Sequence, residues 1–166
     1  YNKLNYKLGE HYISSFQQPE KAAKEIDNNL DSFFRLSYRD TNSIIASPDL
    51  SLKSLFTEGN TGGLVVNNET IDSYIEHFKD HSLYQPICWY TNIDLNIELS
   101  NEWRKKIDIP VVFMFGRNDV AVLLTDKMKY RLNNLGNDVT IKEIDGAGHW
   151  LPLTHKESVL NEIYSN

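Results

Sequence analysis

The feature that most restricts the fold of this chain is an uninterrupted apolar run, VVFMF at positions 111–115, which ends at a glycine. Such a run is typical of a strand that is buried on both faces, as in a parallel sheet covered by helices. A second strand is predicted at 139–146, and the segment between the two predicts a helix that ends at Gly136 as its C-cap. The order strand, helix, strand, helix favours a right-handed crossover unit of an α/β fold.

Two parallel strands do not make a stable sheet by themselves, because both edges stay open and one face of the first strand stays uncovered. Residues 106–166 are therefore expected to be the last part of a larger parallel sheet whose earlier strands are missing. A T-x-x-E capping box at Thr154 and Glu157 predicts the start of the final helix.

Residues 1–105 have the pattern of helices and loops. Pro19 and the acidic residue after it open an amphipathic pattern that predicts one continuous helix as far as Tyr38. Positions 40–69 are rich in Asn, Ser, Thr, Gly and Asp and predict a long irregular connection. A second helix is predicted at 69–81, and the segment that follows it is expected to be broken by Pro86.

The composition is that of a globular domain, with 166 residues of which 40% are hydrophobic and 24% charged. A formal net charge of -6 argues against general nucleic-acid binding, since phosphates need basic patches. No apolar run reaches the roughly 18–20 residues of a membrane span. The single cysteine, Cys88, excludes an internal disulfide and is interpreted as a buried, inert thiol. A cytoplasmic location is expected because no targeting signal is evident.

Two polar residues follow the two predicted strands, Asp119 in GRND and His149 in GAGH. Functional groups of open α/β sheets gather beyond the carboxyl ends of the strands, and adjacent strands lie about 4.8 Å apart. A carboxylate bound to one ring nitrogen fixes the tautomer of a histidine and leaves the other nitrogen as a general base. The sequence therefore predicts that His149 is oriented by Asp119.

A base and its orienting acid require a nucleophile, which this chain does not contain. The expected order places it earlier, on a sharp elbow of the G-x-S-x-G kind, and no such elbow is present. The remaining histidines show no ligand spacing with Cys, Asp or Glu, so that neither a metal nor another cofactor is expected; they are His11, His77, His81 and His155.

Several motifs occur together in one order along the chain. HYISSFQQPEKAAKEI contains a tyrosine followed by Phe-Gln-x-Pro, and WYTN at 89–92 is similar to a Trp-Tyr-Arg-Asn motif. Three further motifs follow the first one along the chain: GGLVVNNE, IPVVFMFGRND and GAGHW. With these motifs the chain resembles the soluble epoxide hydrolases of the α/β-hydrolase fold over nearly its whole length. The resemblance implies a helical cap (lid) at 1–105 and a C-terminal segment of the hydrolase core at 106–166.

The resemblance also implies roles for individual residues. Tyr12 and Tyr90 would donate hydrogen bonds from the cap to the epoxide oxygen, and phenols suit this task because the opening ring develops alkoxide charge. An aspartate in the missing N-terminal half would form an alkyl-enzyme ester, and His149 with Asp119 would activate the water that hydrolyses it to a vicinal diol. The expected partners are thus an epoxide, water and that N-terminal half.

Three further residues are expected to form pocket walls: Phe16, Val120 and Trp150. Thr91 stands where the family usually has arginine, which removes a charge beside Tyr90. The implied physiological role is detoxification, and the isolated segment is expected to be inactive. Two alternatives remain open at this point. A haloalkane or fluoroacetate dehalogenase shares the aspartyl-ester scheme, and a non-catalytic ligand-binding protein of the same fold would need no nucleophile.

Overall fold

The computed structural model describes residues 11–40, 51–57, 62–102, 106–119 and 124–165. The chain divides into two compact units. What we call the helical unit comprises, among the described residues, 11–39, 51–57 and 66–102, and the sheet unit comprises 40, 62–65, 106–119 and 124–165. That these units act as a cap and as part of a hydrolase core, divided at residue 105, stays a prediction.

The helical unit is built from short helices. In chain order they are α1 (Tyr12–Phe16), α2 (Pro19–Asp27), α3 (Leu30–Ser37), α4 (Ser54–Thr57), α5 (Asn68–Asp80), α6 (Tyr84–Cys88), a 3-10 turn (Trp89–Asn92) and α7 (Ile93–Glu102). Their apolar faces meet in one core in which Ile26 of α2 and Ile71 of α5 are fully buried. Since none of these helices is long enough to be stable alone, this shared core holds them together.

The helix predicted from Pro19 to Tyr38 is two helices, α2 and α3, with a break at Asn28 and Asn29. The side-chain amide of Asn29 donates to the carbonyl oxygen of Glu25 at 2.8 Å. Asparagine competes with the backbone in this way and therefore favours helix ends over helix interiors. The prediction of one continuous helix was wrong for this reason.

Of two further predictions for this unit, one is confirmed and one is wrong. The second predicted helix is α5, with Asn67 as its N-cap through a bond from the Thr70 amide at 2.8 Å. The predicted break at Pro86 was wrong. Pro86 lies in the first turn of α6, where a helix needs no amide hydrogen from it, and the helix continues through it.

The sheet unit contains two parallel strands, β1 (Val111–Gly116) and β2 (Val139–Ile144), paired in register from Val111 opposite Val139 to Gly116 opposite Ile144. Helix α8 (Asp126–Asn133) connects them, and α9 (Leu151–Thr154) and α10 (Lys156–Tyr164) follow. The α/β class and the order strand, helix, strand, helix are confirmed.

Two local predictions in the sheet unit were wrong. Gly136 does not cap α8, whose C-cap is Asn134; it instead lies beside Ile107, with which it forms a parallel bridge. Thr154 does not cap the last helix either. Its hydroxyl lies 2.9 Å from the ring of His155, the N-cap residue of α10, and donates back to the carbonyl oxygen of Trp150.

None of the helices in the described ranges combines the length and the apolar character needed to cross a membrane.

Candidate active site

Asp119 and His149 meet in the sheet unit, as the sequence predicts for residues at successive strand ends. The Nδ1 atom of His149 lies 3.1 Å from Oδ2 and 3.2 Å from Oδ1 of Asp119. The Asp119 side chain is 8% exposed and that of His149 is 45% exposed. A buried carboxylate thus holds an imidazole that stays accessible from outside.

Backbone hydrogen bonds bring the two residues together. The turn that carries Asp119 donates from the Arg117 amide to the Ile144 carbonyl at 3.0 Å, and from the Asn118 amide to the Ala147 carbonyl at 2.9 Å. Both acceptors belong to the segment that leads to His149. These bonds join the two backbone segments beyond the last residue pair of the sheet. The side chains of Asp119 and His149 lie close together because their backbones do.

Two glycines make this approach possible. A Cβ atom on Gly116 would lie 2.4 Å from the carbonyl oxygen of Ala147 and 2.5 Å from that of Gly148. Gly146 has a φ angle of +74°, in the left-handed region that residues with a side chain rarely adopt. The glycines around GRND and GAGH thus let the acid turn and the histidine turn touch through their backbones.

The pairing determines what His149 can do. A carboxylate only accepts hydrogen bonds, so the hydrogen of this contact belongs to Nδ1 of the imidazole. In the neutral ring, Nε2 then carries the lone pair and is the nitrogen that can remove a proton from water. The geometry is that of an orienting acid and a general base.

A cleft of about 260 Å³ lies beside this pair in the sheet unit. Both Asp119 and His149 border it, and the rest of its lining is mainly apolar: Phe113, Met114, Phe115, Gly116, Gly148, Leu151, Pro152 and Val159. Trp150, which the sequence predicts as a pocket wall, is not part of this lining. Its ring instead meets that of His149 edge to face, with centroids 5.5 Å apart. Val120, the other pocket wall predicted in this region, lies outside the described residues.

The two motif tyrosines meet in the helical unit. The ring centroids of Tyr12 and Tyr90 are 6.2 Å apart with an interplanar angle of 81°. Phe16 contacts both rings edge to face, at 5.4 Å from Tyr12 and 4.8 Å from Tyr90. Phe16 is 5% exposed, whereas both tyrosines are half-buried. The first motif therefore supplies the buried ring against which both phenols pack.

Gln17 also connects the two tyrosine segments, a role that nothing in the sequence indicates beyond its place in the first motif. Its side-chain amide donates to the carbonyl oxygen of Tyr90 at 2.9 Å and to that of Ile13 at 3.3 Å. One amide group thus bridges α1, which carries Tyr12, to the 3-10 turn, which carries Tyr90.

Asp27 anchors the start of the segment that leads to Tyr90. Its carboxylate accepts from the Ser82 hydroxyl at 2.6 Å and from the Leu83 amide at 2.9 Å, just before α6. Asp27 ends α2, so this contact ties α6 and the following turn to the core. A single aspartate in an amphipathic helix carries no sequence signal for such a role.

Two further residues near Tyr90 depart from simple expectation. Thr91 stands where the motif that this segment resembles has arginine. Its hydroxyl donates to the Cys88 carbonyl oxygen at 2.8 Å and so stabilises the turn. Cys88 is half-buried rather than buried, and a hydrogen bond with its side chain raises the pKa of Tyr84.

Within the described parts of the chain, no three histidine, cysteine, aspartate or glutamate side chains are grouped in a way that could hold a metal ion.

Comparisons with known proteins extend these observations. No protein-family model matches the sequence. The chain is 29% identical over 158 residues to bifunctional epoxide hydrolase 2 of the pig, Sus scrofa. The match covers 92% of this chain and 28% of that relative. It is 32% identical over 89 residues to epoxide hydrolase A of Mycobacterium tuberculosis, covering 52% of this chain and 27% of that protein.

Among solved structures, an epoxide hydrolase from an endophytic Streptomyces aligns with a TM-score of 0.78 and 20% identity, over 96% of this chain and 52% of that one. Epoxide hydrolase I of potato, Solanum tuberosum, aligns with a TM-score of 0.66 and 21% identity, over 99% of this chain and 58% of that one. The chain thus spans about half the length of these solved structures.

These matches confirm the resemblance to epoxide hydrolases, and the fold is that of a partial α/β-hydrolase.

Proposed function

We propose that these residues form part of an epoxide hydrolase and supply two of its working groups, the phenol pair and the Asp–His pair. The observation that carries the proposal is the meeting of Tyr12 and Tyr90, which lie far apart in the sequence and share the buried ring of Phe16. The resemblance to named epoxide hydrolases supports it.

The phenol pair would act in the first step. A carboxylate oxygen attacks one carbon of the epoxide and forms an ester, while the bond from that carbon to the ring oxygen breaks. The oxygen leaves with its electron pair, and two phenol hydroxyls stabilise its charge by hydrogen bonds before one transfers a proton. Two donors aimed at one oxygen suit an alkoxide better than they suit a departing halide.

The Asp–His pair would act in the second step. His149 removes a proton from water, which attacks the ester carbonyl, and Asp119 stabilises the imidazolium that forms. The ester bond breaks, the imidazolium gives its proton to the departing alkoxide, and the vicinal diol leaves. The carboxylic acid that remains returns its proton to the phenolate, which regenerates both the carboxylate and the phenol, so the cycle consumes only the epoxide and one water. The attacking carboxylate would be an aspartate outside these 166 residues, in the half of the protein that the present residues do not include.

The test is epoxide turnover by the protein that carries these residues together with that half. We expect the double variant Tyr12→Phe, Tyr90→Phe to lose diol formation, because each oxyanion donor contributes about 10²–10³-fold to the rate. Tyr130→Phe is a matched control, since the Tyr130 side chain is exposed on α8 and takes no part in either pair.

Unchanged diol formation by the double variant would contradict the proposal. Halide release from a haloalkane, with no diol from any epoxide, would instead identify a dehalogenase. The isolated 166-residue chain, which lacks the proposed nucleophile, is expected to show no turnover.

A further inference from the structure

His11 is placed to control the orientation of Tyr12. It is the N-cap residue of α1, and its Nδ1 atom accepts a hydrogen bond from the Ile13 amide at 3.2 Å. Serine, threonine, aspartate and asparagine usually fill this role, and here an imidazole does so. Because α1 has only five residues, its first turn depends strongly on the cap.

The same imidazole also stacks on the phenol that follows it. The ring centroids of His11 and Tyr12 are 4.6 Å apart with an interplanar angle of 29°. Phe16 and Tyr90 contact the Tyr12 ring edge to face. The phenol ring is thus in contact with three other rings, and the stack on His11 is the shortest of the three distances.

The cap and the stack are two separate restraints from one side chain. The cap fixes the backbone at the first residue of α1, which is Tyr12, and so fixes where its Cβ points. The stack restricts rotation of the ring about its own side-chain bonds. Burial lowers the pKa of His11, which favours the neutral ring whose Nδ1 can accept the cap bond.

We infer that His11 is a positioning residue for Tyr12, whose hydroxyl it aims at the epoxide oxygen through the α1 cap and the ring stack. The inference rests on the proposed function of Tyr12. His11 itself does not touch the reacting atoms.

Three substitutions separate the two restraints in the complete protein. His11→Asn keeps a side-chain acceptor for the cap and removes the ring, His11→Phe keeps a ring and removes the acceptor, and His11→Ala removes both. We expect ester formation to slow about tenfold in His11→Ala, in line with the loss of a cap, and less in the other two. Ester hydrolysis should keep its rate, because His149 and Asp119 perform it.

His77→Ala is the matched control, an exposed histidine on α5 of the same unit. Single-turnover kinetics measure the two steps separately. A purely structural role would slow both steps together, or neither, so a selective loss in ester formation with partial recovery in His11→Asn and His11→Phe supports the inference. Ester formation as fast in His11→Ala as in His77→Ala would overturn it.

A second measurement does not depend on activity. In protein labelled with 3-fluorotyrosine, the ¹⁹F resonance of Tyr12 is identified by its absence in Tyr12→Phe. We expect this resonance to move in His11→Ala and His11→Asn and to stay near its original position in His11→Phe. An unmoved resonance in all three would overturn the stack. An inactive parent protein would refute the proposed function, whereas an active parent with unaffected His11 variants would refute only this inference.

Discussion

In the sheet unit the backbone brings Asp119 and His149 together, whereas in the helical unit side chains bring Tyr12 and Tyr90 together. The acid–base pair follows from a parallel ladder, two backbone bonds between turns and the absence of a side chain at Gly116. The phenol pair follows from the packing of Phe16 and a bridge from the Gln17 amide. The Asp119–His149 pair is therefore fixed by the topology of the sheet, whereas single substitutions can alter the Tyr12–Tyr90 pair.

We expect the greatest loss of activity when the Asp119–His149 pair is changed. Asp119→Asn leaves the backbone contacts in place and removes the charge that orients and stabilises His149. We expect turnover in the complete protein to fall roughly 10⁴-fold, the loss that replacing the orienting aspartate by asparagine causes in a Ser-His-Asp triad.

Asp145→Asn is the control for this change, since Asp145 lies on the same histidine turn and its side chain is 82% exposed, paired with Arg117 at 3.0 Å. We expect little loss there, because exposed ion pairs contribute little. Similar losses in both variants would mean that the turn, and not the Asp119–His149 contact, carries the effect.

The next prediction tests whether the backbone holds this pair. Gly116→Ala places a Cβ atom against two carbonyl oxygens, so the strand end or the histidine turn must shift. We expect the free energy of unfolding to fall by about 1–3 kcal/mol, the usual cost of overpacking, as measured by urea denaturation. Gly63→Ala is the control in the same unit, because nothing lies within 4 Å of the added atom. Equal losses of unfolding free energy in the two variants would show that the close backbone approach at Gly116 does not hold the two turns together.

A smaller effect is expected for the side-chain bridge in the helical unit. Gln17→Ala removes the bond to the Tyr90 carbonyl. A hydrogen bond of this kind contributes about 0.5–1.5 kcal/mol, so ester formation should slow by roughly two- to tenfold. Gln85→Ala, an exposed glutamine of α6, is the control. If the two variants react at the same rate, ring packing alone positions Tyr90.

The smallest effect is on the pH dependence of stability. Because burial lowers the pKa of His11 in the folded chain, the unfolded chain binds its proton more readily as the pH falls through about 6.5. The contribution of neutral His11 is complete above that pH and is lost below it. Between pH 7.5 and 5.5 the free energy of unfolding should therefore fall more steeply in the parent than in His11→Asn. Parallel curves would contradict the lowered pKa.

The same comparison explains how much could be predicted from the sequence. Asp119 and His149 were predictable because strand ends of a parallel sheet converge whatever the side chains are. The phenol pair was predicted only from the family motifs, since no periodicity of the sequence indicates that Tyr12 and Tyr90 pack against the same ring, that of Phe16. The roles of Gln17 and Asp27 were missed because each side chain binds a segment far away in the sequence. The role of His11 was missed because histidine is not one of the usual N-cap residues.

Two of the local errors have the same physical cause. Asn29 and Thr154 each have a side chain that bonds the backbone of an earlier residue, Glu25 and Trp150 respectively. Such bonds end or begin helices at places that apolar spacing and a capping pattern do not reveal. The C-cap predicted at Gly136 was wrong for another reason: its backbone pairs with Ile107, a partner that lies well before it in the sequence.

The most direct test of the account is the intact mass of the complete His149→Gln protein after it is mixed with an epoxide. If the two pairs act in successive steps, the variant forms the ester and cannot hydrolyse it, so its mass increases by that of one epoxide. Adding Tyr12→Phe and Tyr90→Phe should abolish that increase. An increase that persists without the phenols, or that never appears although the parent protein forms diol, would contradict the assignment of the two pairs to two steps.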